Sequence, residues 1–443
     1  MRTASWLCLL GIVVVFSGCH RPQPGPVVTG PGPQAPGDTT APPPPVVAPP
    51  PPPAAYTLCA KGLPTTGMWK CDPVFVDANL DGHVDLAAMA RLGDGPHLWL
   101  GDGTGTWEKW DAALASRFPS CGGGLSFVDV NHDGHLDFAV ADHCRGVFVY
   151  LGDGQGHWEA VTAGLCPPGV DPEDPMGQMH LGAEDLATGD VNGDGCIDIV
   201  ACASDEGGIN VYLGDGSGRN WTHTPGALPA TGWANRVLLA DMNGDGALDV
   251  VSSYADGPRV WHNDGHGKWT PAAFGLPSPS LRGIYTGIDV ADVNHDGRPD
   301  IAVANWVDGP EVYFQQADQA WTKADDVFPE LIGGAVGLAL GDLDGDGNVD
   351  IVVSGRMTLD PGHVRGVFAL FGDGQGHWKF APNTGLPTTG LAFTAGVSVG
   401  DIDGDGVLDI AAGSGLKVED TGLPEDKAVI EQRLIVWRGV HNR

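Results

Sequence analysis

The sequence predicts an all-β fold: a seven-bladed β-propeller with four-stranded blades, in which the N-terminal strand closes the last blade. Three observations predict it. A nine-residue motif, Asp-x-(Asn/Asp)-x-Asp-Gly-x-x-Asp, begins at Asp77, Asp129, Asp190, Asp241, Asp292, Asp342 and Asp401, in steps of 50 to 61 residues. A period near fifty marks a radial repeat, one unit per blade. Short apolar runs separated by Gly-rich turns follow each motif, as strands of a meander do. The last repeat lacks its fourth strand, and a matching strand stands at the other end of the chain.

The fourth repeat shows the elements in order. Val237-Leu238-Leu239-Ala240 is a short apolar strand, and the motif Asp241–Asp249 is a loop. Val250–Tyr254 and Arg259–His262 are the second and third strands, and Asn263-Asp264-Gly265-His266-Gly267 is a turn whose glycines permit positive φ. Trp269 opens the outer strand. The turn recurs as Gly101-Asp102-Gly103, Gly152-Asp153-Gly154, Gly214-Asp215-Gly216 and Gly372-Asp373-Gly374, each followed by a tryptophan: Trp107, Trp158, Trp221 and Trp378. These rings read as packing between blades. The fifth repeat has lost the turn, reading Gln315-Gln316-Ala317-Asp318-Gln319, but keeps Trp321. The seventh stops after Leu434-Ile435-Val436-Trp437. Tyr56-Thr57-Leu58 precedes Gly62-Leu63-Pro64, just as outer strands precede Gly275-Leu276-Pro277 and Gly385-Leu386-Pro387, so this N-terminal strand completes the seventh blade and covers its open edge.

The motif is a metal loop by its chemistry. Oxygen side chains at positions one, three, five and nine, with a backbone carbonyl at seven, suit a hard cation, and Gly at six makes the sharp turn around it. The ligand sets are Asp77, Asn79, Asp81 and Asp85; Asp129, Asn131, Asp133 and Asp137; Asp190, Asn192, Asp194 and Asp198; Asp241, Asn243, Asp245 and Asp249; Asp292, Asn294, Asp296 and Asp300; Asp342, Asp344, Asp346 and Asp350; Asp401, Asp403, Asp405 and Asp409. Up to seven structural Ca²⁺ ions are expected, since Mg²⁺ resists all-protein cages. An EF-hand shares the first half of the loop but needs flanking helices and Glu at position twelve, where the first two loops carry Ala88 and Val140. Acidic loops that cap hairpins without metal are the alternative.

On these loops and the Gly-Asp-Gly turns, residues 56–443 resemble the FG-GAP or VCBS-type repeat family, the calcium-loop propellers of integrin α-subunit heads and of bacterial surface proteins. The Phe-Gly and Gly-Ala-Pro signatures of the integrin type are not evident, which places the bacterial branch nearer. The resemblance implies a seven-bladed ring and extracellular binding or adhesion, without naming a ligand.

Composition agrees with an exported protein that does not bind nucleic acid. The 443 residues carry 56 Asp and Glu against 23 Lys and Arg, a net charge of −33, which repels phosphate backbones. Arg2 and the apolar run Trp6–Phe16 read as a signal peptide over residues 1–18. Phe16-Ser17-Gly18-Cys19 resembles a bacterial lipobox, with Cys19 the residue to be lipidated. Residues 19–55 then form a linker; fifteen prolines within 20–55 favour polyproline II, so it reads as a stalk. No later run of 18 apolar residues marks a membrane helix. The expectation is a monomeric lipoprotein anchored to the outer membrane, periplasmic or on the cell surface. Seven further cysteines lie between Cys59 and Cys202, in no zinc spacing, and an oxidising compartment favours disulfides, with Cys121–Cys144 the first candidate pair.

Loops alternate between the faces of a meandering blade. The metal loops therefore share a face with the Gly-Asp-Gly turns, while the long insertions 164–185, 355–366 and 413–433 fall on the other. That face also collects Trp69, Arg145, Trp233, Arg236, Arg282, Tyr285, Trp306 and Arg365. Packing between blades and pairing with carboxylates is one reading. The sharper reading is a recognition site for a carbohydrate or protein ligand, with Trp233, Arg236, Tyr285 and Trp306 as its best candidates. No catalytic motif is present, so a binding or adhesion module is favoured over an envelope scaffold. A polysaccharide-acting enzyme, built on the acidic insertion Asp171, Glu173, Asp174, His180, Glu184 and Asp185, ranks last.

Overall fold

The computed structural model describes residues 53–441, except 70–71, 92, 111–117, 162, 166–181, 204–206, 225, 281, 325–331, 358–364, 392–393 and 416–432. Seven four-stranded antiparallel sheets make seven blades. Blade 1 comprises Val74–Val76, Asp85–Ala88, His97–Gly101 and Trp107–Lys109. Blade 4 comprises Ala234–Ala240, Asp249–Tyr254, Gly257–Asn263 and Trp269–Pro271, against the expected Val237–Ala240 for its first strand. Blade 7 is Thr394–Gly400, Asp409–Ser414 and Leu434–His441, completed by Ala54–Leu58. That closing strand runs antiparallel to the last one, with Tyr56 opposite Gly439, two residues longer at its start than the Tyr56–Leu58 read from the sequence. A small ribbon, Gly93–Gly95 with Phe118–Ser120, had no signal in the periodicity.

The second strand of a blade is buried on both faces, as in Asp137–Asp142 and Asp300–Asn305, which explains its unbroken apolar sequence. Side chains pack from blade to blade. One apolar cluster joins each pair of neighbours, and the ring shuts where Leu86, Trp99 and Trp107 of blade 1 meet Ala411, Leu434 and Val436 of blade 7. The turn tryptophans pack as expected: Trp107, Trp158, Trp221, Trp321 and Trp378 are each at most 6% exposed. Two of them also tie blades together, since Trp107 Nε1 donates to Cys59 O at 2.8 Å and Trp321 Nε1 to Ala272 O at 2.9 Å. Cys121 and Cys144 form a disulfide, and both cysteine N–H groups donate to buried Asp142. Cys59, Cys196 and Cys202 are free thiols, whereas Cys71 and Cys166 lie outside the described residues.

Candidate functional site

The candidate metal loops are built by the backbone before any ion is considered. In the first loop Asp77 accepts from the N–H groups of Asp81 and Gly82, at 3.0 and 2.9 Å, which bends the chain into a ring. All seven loops repeat this pair of bonds. Gly at position six is required because φ there is between 83° and 90° in every loop, a left-handed backbone that other residues resist.

The ninth residue does a second job. Asp85 accepts from Ala78 N–H at 3.0 Å with one oxygen and from Gly101 N–H, in the third strand, at 2.9 Å with the other. The same pair of hydrogen bonds recurs at Asp137, Asp198, Asp249, Asp300, Asp350 and Asp409. One carboxylate thus fastens the loop to the blade's middle. Burial pushes these carboxyls up, to about 6 at Asp85, Asp137 and Asp198 and about 7 at Asp300, Asp350 and Asp409; the carboxylates at positions five and one, or three, push the same way, against the backbone bonds. In the two loops with Asp at position three, carboxylate oxygens of Asp342, Asp344 and Asp350, and of Asp401, Asp403 and Asp409, lie within 4.8 Å of one another. Like charges at that spacing are the donor set a hard divalent cation neutralises, so the residues present fit Ca²⁺.

Sequence reasoning missed the cations around these loops. Arg298, at position seven of the fifth loop, pairs with Asp296, and Arg438 Nε lies 3.3 Å from Asp403. It also missed links between loops: His132 Nε2 meets Gly195 O at 3.2 Å, and His295 Nε2 meets Asn348 Oδ1 at 3.1 Å. Two grooves open on this face. One, about 590 Å³, is lined by Asp133, His135, Asp153, His157, Trp158 and Arg219; the other, about 400 Å³, lies between the third and fourth loops.

The four ligand-face candidates are placed differently from one another. Trp233 is 37% exposed, and Trp306 is partly buried beside Val307, which is 43% exposed. Backbone bonds run along the rim from Trp233 O to Ala255, from Ala255 O to Tyr285 and from Ile284 O to Trp306, so both tryptophans share one face on adjacent blades. Tyr285 is 2% exposed, and its hydroxyl bonds Glu311 at 3.2 Å, so its ring packs in the core rather than facing a ligand. Arg236 reaches across the central channel from blade 4 to Asp72, just before blade 1, with Nε 2.7 Å from Oδ2. Of the other cations there, Arg282 pairs with Asp308 at 2.7 Å, and Arg365 lies over Trp306 at 5.9 Å. Trp69 is buried against His97 and Trp99. Cys19, most of the long insertions and Asp171, Glu173, Asp174 and His180 lie outside the described residues. Glu184 pairs with His143, and Asp185 accepts from Val237 N–H at 3.2 Å.

Comparison with known proteins bears on the fold and on the repeat. Human cartilage acidic protein 1 is 25% identical over 274 residues, which is 59% of this chain and 36% of that protein. The mouse protein is 25% identical over 191 residues, 40% and 28% respectively, so the chain spans about a third of the length of the curated relatives it matches. Among solved structures, BBS1N in complex with ARL6DN has 12% identity and a TM-score of 0.51, covering 86% of this chain and 96% of that one. YCF48 bound to D1 peptide has 15% identity and a TM-score of 0.50, covering 88% and 96%. These likenesses concern the fold alone. The model of the FG-GAP-like repeat matches residues 77–140, 129–201, 190–252, 241–303, 292–353 and 361–412, and the chain belongs to that family.

Proposed function

We propose that this protein is an exported, calcium-stabilised propeller that holds a carbohydrate or protein ligand on the face opposite its metal loops, without catalysis. The observation that carries this reading is the contrast between seven complete loops, each fastening its own blade, and a rim that presents Trp233 and Val307, with Trp306 partly buried beside them. Large rings on a rigid rim supply contact area at little entropic cost. The loops bind Ca²⁺ through the oxygens at positions one, three, five and nine, and the ion supplies charge neutralisation that stiffens each loop. The N-terminal residues export the chain and attach it through lipid on Cys19, so the membrane is reached by the anchor alone and the propeller works as a monomer at the periplasmic or outer surface of the outer membrane.

A glycan array in millimolar calcium tests the ligand face, with a Trp233→Ala, Trp306→Ala double variant beside the wild type. Binding lost in the variant supports a lectin-like site there. A silent array with folded protein moves the weight to a protein ligand, and cross-linking in envelopes then identifies it. The groove beside Trp158 and Arg219 favours a second reading, a ligand held among the metal loops. Arrayed binding that survives the double variant but is lost in Arg219→Ala would select it. Calcium itself is tested by melting the protein with and without chelator. Seven sites, each adding about 2.7 kcal/mol at a hundredfold excess over Kd, predict a fall of tens of degrees on chelation. An unmoved transition would remove the metal from this account.

A further inference from the structure

The seven loops are alike in sequence but not in charge. In the first four, the Oδ2 atom of the position-five aspartate accepts from the neutral amide of the position-three asparagine, at 2.8 to 3.0 Å. In the sixth, Asn348 supplies that amide to Asp346 at 2.9 Å. The fifth loop differs. There the guanidinium of Arg298 pairs with Oδ2 of Asp296, while the Arg298 N–H donates to Oδ1 at 3.0 Å. One residue grips both oxygens of an expected ligand. The guanidinium is also held from behind, because Nε donates to Gln315 O in the third strand at 3.0 Å. It is therefore a fixed charge rather than a swinging one. The other loops carry His83, His135, Cys196, Ala247, Asn348 and Val407 at this position, none with a permanent charge.

We propose that Arg298 is a built-in counter-charge that makes the fifth loop the weakest calcium site of the ring and leaves the four-carboxylate sixth loop the strongest. This rests on the calcium reading above. Affinity in oxygen cages follows ligand charge and rigidity. The fifth loop offers three carboxylates, one already neutralised; the seventh offers four, of which Asp403 has Arg438 Nε at 3.3 Å; and Asp342, Asp344, Asp346 and Asp350 give the sixth loop four with no such arginine among the described residues. A fixed unit charge touching a ligand opposes a divalent ion, and at this partly exposed site, screened by salt, the penalty is on the order of tenfold in affinity. The fifth blade therefore folds around its own cation and depends least on metal. His295 of the fifth loop bonds Asn348 of the sixth, so the extremes of the series are neighbours in contact.

Native mass spectrometry of the full chain, at stepped free calcium, counts the ions directly. The sixth-loop ion should load first, five should follow together, and the last should need roughly tenfold more calcium than those five. Arg298→Gln should move that late step down to join the five, and Ala247→Arg, which transplants the charge to the three-carboxylate fourth loop, should create a second late step. Seven ions loading with one affinity would overturn the proposal, as would a late step that Arg298→Gln leaves in place. If Arg298→Gln does not fold, Ala247→Arg decides alone, and an unchanged ladder there overturns it equally. No bound calcium at any concentration would instead remove the calcium reading on which the proposal stands.

Discussion

The two faces of this ring are made differently. On one, seven loops repeat almost bond for bond, down to the double anchor of the ninth aspartate. On the other, the connections between second and third strands share no plan: blade 4 turns tightly at Ala255-Asp256, blade 5 at Trp306–Asp308, and blade 2 carries a disulfide at Cys144. Repetition marks what every blade needs, which is a fastened hairpin. Variation marks what only one place needs, and recognition is carried by such loops on a rigid frame.

One strand closes the ring, and removing it is the most damaging change the fold can meet. Removing Ala54–Leu58 strips Leu434–His441 of its partner and takes buried Tyr56 and Ala54 out of the cluster between blades 6 and 7. Losing one buried aromatic alone costs about 3–5 kcal/mol, and an exposed strand edge invites aggregation. The truncated chain should melt far below the intact one, or not fold. An unchanged denaturation midpoint would break the closure.

A smaller effect is expected where the varied face meets the channel. Arg236 and Asp72 join opposite sides of the ring, and Asp185, held by Val237, lies near them. Arg236→Ala leaves two carboxylates without their cation. A fully buried pair would lose about 3–5 kcal/mol, but the Asp72 side chain is 36% exposed, so about 2 kcal/mol is the expected loss in a urea titration. A loss below about 0.5 kcal/mol would mean that the pair is a surface contact and that the channel contributes nothing to holding the ring.

Asp289 sharpens the same point by pH. Burial, more than the nearby Asp72, raises its carboxyl to about 6, against the N–H bonds from Leu340 and Val290 that favour the ionised form. An unfolded aspartate titrates near 4. Its folded value is the higher one, so the ionised group destabilises the fold at neutral pH. That penalty fades as pH falls through about 6 and is gone below the unfolded value. Melting wild type and Asp289→Asn in saturating calcium should give a difference that favours the variant more at pH 7.5 than at pH 5. A difference that stays flat across that range would place Asp289 in contact with water.

The regular face was legible in the sequence and the varied one was not, for a physical reason. Seven copies of one spacing report a backbone requirement, and a requirement of that kind survives translation into residues: Gly82 and its six equivalents need positive φ, and Asp85 and its equivalents need two N–H partners. The Gly-Leu-Pro that follows outer strands revealed the closing strand in the same way. Tyr285 and Arg236 had no such repeat behind them. Composition marked both as candidates for a ligand, but a tyrosine bonded to Glu311 and an arginine bonded to Asp72 look the same in sequence as exposed ones. The pairing of Arg298 with Asp296, two residues apart, was within reach, because an arginine beside a position-five aspartate can reach it wherever the loop closes.

The smallest effect tests the regular face at the one turn that departs from its pattern. Blade 5 lacks the glycines, yet Gln316 N–H still donates to Ala320 O at 2.8 Å, as Asp102 N–H does to Thr106 O at 3.2 Å. Gln319 makes this possible by adopting φ 63°, where Gly105 and Gly156 stand at 90° and 87°. A side chain in left-handed backbone costs roughly 1–2 kcal/mol, which glycine relieves while giving back part through its freer unfolded chain. Gln319→Gly should therefore stabilise the protein by up to about 1 kcal/mol, seen as a small rise in Tm. A loss instead would mean that Gln319 makes a contact worth more than the strain, and that this blade replaced its turn for a reason other than drift.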